Sequence, residues 1–116
     1  MNTREKLRRL AELAQDKSAV DLVFLSVNNL CSYTDVIAVC HGRSTRQVQT
    51  IAAHIAQEMK RAGERPSIVE GESEGLWVLI DFGDVVFHCF HEPMRLYYDI
   101  EGLYPDAQRL DPAAAS

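Results

Sequence analysis

The stretch Leu76–Phe90 limits what this chain can fold into more than any other. Two apolar runs, Leu-Trp-Val-Leu-Ile-Asp-Phe and Val-Val-Phe-His-Cys-Phe, flank Gly83-Asp84. A glycine at the first position of a two-residue turn supplies the positive φ that a tight β-hairpin needs. Such a turn sets the register. Phe82 faces Val85, Ile80 faces Phe87 and Val78 faces Cys89, while Asp81 faces Val86, Leu79 faces His88 and Trp77 faces Phe90. Successive strand residues point to opposite sides of a sheet. One side of the hairpin is then Val78, Ile80, Phe82, Val85, Phe87 and Cys89, wholly apolar, and reads as a core face. The other carries Trp77, Leu79, Asp81, Val86, His88 and Phe90, apolar with two polar groups embedded. That second side is either core with satisfied polar groups or a docking surface.

The rest of the chain supplies what the core face needs. Asn2-Thr3-Arg4-Glu5 fits a capping box, and Leu7, Leu10, Leu13 and Ala14 follow at helical spacing, so residues 3–16 are expected to form an amphipathic helix. Residues 20–27 and 34–41 read as strands, separated by Asn28-Asn29. Ser44-Thr45-Arg46-Gln47 is a second capping box, opening a helix with the stripe Val48, Ile51, Ala52, Ile55 and Met59 that Gly63 ends. A short strand over 67–71 precedes the hairpin. Pro93 suits the first turn of a last helix with Leu96, Tyr97, Ile100 and Leu103 on its apolar side. The order is αββαβββα: an α/β (α+β) single domain with a mixed sheet over residues 1–110, followed by a frayed tail at 111–116.

At 116 residues there is room for one domain with a real core and not for two. No apolar run approaches a membrane span, and the first residues lack the apolar segment of a signal peptide. Three cysteines, Cys31, Cys40 and Cys89, with no C-x-x-C pairing fit reduced thiols in a cytoplasmic protein. The net charge of −5 is unevenly spread. Met1–Arg65 holds ten Lys/Arg against seven Asp/Glu, whereas Pro66–Ser116 holds two against ten. An acidic half is a poor match for phosphates and a good one for a basic protein.

No constellation supports catalysis, a metal or a cofactor. Gly42-Arg43-Ser44 sits between a strand and a helix but lacks the further glycines or Lys of a nucleotide loop, and Ser44 is explained as a cap. Asp81 and Asp84 straddle a turn without a third ligand. His88 and His91 fall on opposite faces of a strand, and Cys89 faces the core. Trp77, the only tryptophan, is either core packing or an aromatic anchor of the kind that dominates interfaces. Asp81 and His88 beside it favour the anchor, because such groups cost free energy in a dry core without partners.

Read together, several segments resemble the ribosomal silencing factor family, also called Iojap-like. They are Asp35, Gly42–Val48, Glu70-Gly71, Trp77–His88, Arg95–Leu103 and Asp106-Ala107, in order and at family spacing. Val36, Ala53 and Tyr104 depart from the family pattern. The resemblance implies a nucleotidyltransferase-like fold and a non-enzymatic factor that binds the large ribosomal subunit. It implies contact through that subunit's ribosomal protein number fourteen, blocking of joining with the small subunit under nutrient limitation, and RNA contact that is secondary at most. It also carries over Glu70, Trp77, Asp81, His88, Arg95 and Tyr98 as interface positions. Arg95 is equally open to a structural role, bracing the hairpin through Asp81, and Tyr98 to a place in the core. The alternatives are a homodimeric nucleotidyltransferase-like module, with Trp77 buried against a second copy, and a ribosome-assembly factor without silencing activity.

Overall fold

The computed structural model describes residues 1–112; the last four residues of the expected tail lie outside the described residues. Ten elements follow one another. Helix α1 spans Thr3–Asp16, strands β1 and β2 span Val20–Ser26 and Val36–Gly42, and helix α2 spans Thr45–Arg61. Strands β3 (Ile68–Glu70), β4 (Trp77–Asp81) and β5 (Val85–His91) come next, then α3 (Glu92–Tyr98), a 3-10 helix (Ile100–Leu103) and β6 (Gln108–Leu110). The six strands form one mixed sheet in the order β3-β4-β5-β2-β1-β6. Among the described residues only the central pair, β2 with β5, is parallel, and α2 lies in the long crossover that a parallel pair requires.

The hairpin has the expected register at every ladder position from Trp77↔Phe90 to Asp81↔Val86. The Phe82 N–H donates to the Val85 carbonyl at 2.9 Å, and Gly83 takes φ 91. The residue before β2 explains why that strand starts at Val36 rather than Thr34. The Thr34 hydroxyl donates to the Gly83 carbonyl at 3.2 Å, and the Asp35 and Val36 N–H groups both bond the Asp84 carbonyl. Thr34 and Asp35 are used to hold the hairpin turn.

Helices α1 and α2 cover the wholly apolar hairpin face. Leu7, Leu10 and Leu13 of α1 and Val48, Ile51, Ile55 and Met59 of α2 are buried in one core with Val78, Ile80, Phe82, Val85, Phe87 and Cys89. Both helices are capped as their sequences dictate: Asn2 accepts from the Glu5 N–H and Ser44 from the Gln47 N–H. The Gln47 side chain reaches past the cap to accept from the Arg43 N–H at 2.7 Å and donates to the Ser18 carbonyl at 3.0 Å, joining the end of α1 to the start of α2. Lys6 donates to the Asp84 carboxylate at 2.7 Å, and the Thr3 hydroxyl donates to its other oxygen, so the first turn of α1 grips the hairpin turn.

Two expectations at the C-terminal end fail. The last helix does not run through Leu103. Asp99 takes a left-handed backbone, φ 42 and ψ 57, and its carboxylate accepts from the Gly102 N–H, so the chain breaks into a separate 3-10 turn. Leu96 and Tyr97 are therefore not on a packed side: each is 78% exposed, and Leu103 is 66% exposed. The chain then adds β6, which pairs antiparallel with Phe24–Ser26 and was not anticipated.

Candidate protein-docking surface

The second hairpin face is covered only in part. Leu25, Val27, Ile37, Val39 and Phe90 form a small core on that side, with Met94, Ile100 and Tyr104 packed over them from α3 and the segment after it. Trp77 sits at the margin of this cover and is half-buried. Its ring stacks on Phe90 at 5.0 Å between centroids, with an angle of 27° between planes, and lies 4.7 Å from the ring of Tyr98. Its indole N–H donates to Nδ1 of His88 at 3.0 Å.

That bond fixes the state of His88. With Nδ1 accepting, the ring proton is on Nε2, and Nε2 is buried without a hydrogen-bond partner. The residue is 4% exposed, and burial pulls its pKa down to about 4, so it is neutral at physiological pH. His88 thus lies beneath Trp77 and holds it from below.

Trp77, His88 and Tyr98 are one cluster. The other three expected positions stand apart from it. Glu70 is exposed at the end of β3, and the ladder places Glu70, Leu79 and His88 in one row across the same sheet face. Asp81, further along that face, uses its carboxylate to accept the Gly83 N–H at 2.7 Å and so stabilises the turn.

The expected bracing of the hairpin by an Arg95–Asp81 pair is not what the structure contains. Arg95 lies on α3 behind the cluster, 9% exposed, with Nε donating to Glu101 at 2.9 Å and Nη1 contacting Nδ1 of His41 at 2.9 Å and the Val20 carbonyl at 3.3 Å. Glu101 is out of register for an i,i+4 pair; only the break at Asp99 brings it round.

Sequence reasoning missed the outer part of this surface. Leu96 and Tyr97 beside the half-exposed Tyr98, together with Leu103, form an apolar rim that no element covers among the described residues. Tyr97 and Tyr98 pack edge to face at 5.2 Å. The signal was Asp99-Ile100-Glu101-Gly102, where the Asp99 carboxylate folds over the chain to accept the Gly102 N–H at 3.2 Å and so ends the helix. An uncovered patch rich in aromatic residues is the composition of a protein-binding site. Among the described residues no group of three or more His, Cys, Asp or Glu is placed to hold a metal ion, and no helix is long and apolar enough to cross a membrane.

Comparison with known proteins gives a consistent result. The family model described as "Ribosomal silencing factor during starvation" matches residues 1–116. The ribosomal silencing factor of Bacillus subtilis is 39% identical over 111 residues, covering 96% of this chain and 94% of that protein. A crystal structure from Chromobacterium violaceum superposes with a TM-score of 0.88 at 34% identity, covering 96% of this chain and 92% of the other. Another from Bacillus halodurans gives 0.83 at 34% identity, covering 94% and 99%.

Proposed function

This chain belongs to the ribosomal silencing factor family, and from that premise we propose that it represses translation by occupying the large ribosomal subunit and blocking its joining with the small subunit, especially when nutrients are short. The contact is with the subunit's ribosomal protein number fourteen, and it is made by the half-covered sheet face and α3. The observation that carries this reading is the aromatic surface that runs from Trp77 through Tyr98 to Tyr97, with the exposed Leu96 next to it on α3. It lies within the half of the chain that carries ten acidic and two basic residues. Apolar contact supplies affinity there, and the acidic surroundings select and orient a basic protein partner. Trp77 is the anchor, Glu70 pairs with a basic or N–H group at the rim, and His88 acts from beneath Trp77.

Added to separated ribosomal subunits, the purified protein is expected to lower the joined-ribosome peak in a sucrose gradient while sedimenting with the large subunit. An unchanged peak at saturating protein would overturn the proposal.

A further inference from the structure

We propose that Arg95 is a positioning residue that clamps α3 and the following 3-10 helix onto strands β1 and β2, and so fixes the angle at which Leu96, Tyr97 and Tyr98 meet a partner. The inference rests on the docking reading above for its consequence, not for its geometry.

A helix of seven residues has no stability of its own, because the cost of nucleation is spread over too few hydrogen bonds. Tertiary contacts must hold α3: Met94 packs over the small core and Tyr98 against Trp77, and Arg95 adds directed bonds. Arg95 is the one residue of α3 that is buried. Its guanidinium contacts three separate elements: Val20 in β1, His41 in β2 and Glu101 in the 3-10 helix. Charge-assisted bonds in a partly buried site, with a planar fork that no lysine reproduces, give fixed geometry as well as attraction. Around them is a cavity of about 500 Å³, lined by Asp21, His41, Glu92, Arg95, Glu101 and Arg109 among others. The β1 ladder is irregular between Val20 and Val23, where Asp21 takes φ 48, at the very carbonyl that Arg95 reaches.

One leg of the clamp is titratable. His41 Nδ1 faces an Arg95 N–H, so it is the acceptor and the ring is neutral, with Nε2 turned towards Glu92 at 3.4 Å. The charged groups around it are Arg95 and Glu92 from α3, Asp21 from β1 and Arg43 from the turn after β2. Burial and then Arg95 lower the pKa of His41, against the opposing pull of Glu92 and Asp21. Adding a proton at Nδ1 sets N–H against N–H and releases that leg.

Hydrogen exchange on the whole chain tests the clamp directly. Arg95→Gln is expected to speed exchange of the 92–103 amides at least tenfold and to leave β4 and β5 amides unchanged. Its affinity for purified large ribosomal subunits should fall about tenfold. Glu101→Ala, which removes one leg at the rim, should give a smaller change of the same pattern and serves if Arg95→Gln does not fold. In the wild type, protection of the 92–103 amides relative to β5 should fall between pH 7 and 5, and His41→Gln, which keeps an acceptor, should abolish that fall. Wild-type exchange rates in both the Arg95 and Glu101 variants would overturn the proposal, as would an unaltered pH response in His41→Gln. Failure of the wild type to bind large subunits would overturn the docking reading alone, and the exchange result would still judge the clamp.

Discussion

At the scale of single residues, Trp77 shows how a side chain can be both supported and available. Its ring stacks on Phe90 and packs against Tyr98, its N–H is held by His88, and the residue remains only half-buried. Truncating a fully buried Trp costs about 3–5 kcal/mol. Trp77→Ala is expected to cost less, about 2 kcal/mol of stability in denaturant unfolding, and to weaken binding to large subunits by about 2 kcal/mol or more. Both quantities should be measured on one preparation. The sequence carried the pairing of Trp77 with its neighbours, because a two-residue turn leaves one register. It did not carry the partner of Arg95. Pattern reasoning pairs a charge with what lies four residues away or across a strand, and Glu101 is neither.

Among the elements, the hairpin was legible in full and the C-terminal segment was not. A hairpin is local: turn chemistry and alternation are both written within fifteen residues. The end of α3 is a local break at Asp99 that the helical spacing of the apolar residues hid, whereas the three-residue strand β6 depends on pairing with β1, far away in sequence, and has too few apolar residues to announce itself. The β3–β4 connection shows a further constraint. Gly71 has φ 85, and a Cβ there would lie 1.9 Å from the Trp77 carbonyl oxygen. Gly71→Ala is therefore expected to cost on the order of 1–3 kcal/mol from backbone strain alone, and the clash must also displace β3 or the start of β4. Its thermal melt should shift down, and the fluorescence of Trp77 should change in the folded state, which separates local displacement from simple loss of stability.

For the whole molecule, acid stability is set by two histidines on one sheet face and by a carboxylate in the hairpin turn. His88 is buried neutral with a pKa of about 4, and His41 is also lowered, by burial and then by Arg95. The unfolded chain takes up these protons near pH 6.5, so stability is complete above that value and is lost as pH falls towards 4. The His88 share is about 3 kcal/mol. Lower still, the Asp84 carboxylate adds to the loss. Burial alone would raise its pKa, but the bonds from Lys6 and Thr3 outweigh this and hold it down. Urea unfolding between pH 7.5 and 4 should show the decline, and His88→Phe should flatten it. The central pairing of the sheet has another consequence. Strands β2 and β5 begin about fifty residues apart, at Val36 and Val85, with α2, β3 and β4 between them. During synthesis β2 is thus paired along one edge only, with β1, and its other edge stays open until the second half of the hairpin has emerged. The domain then closes late and all at once, with long-range contacts setting the pace.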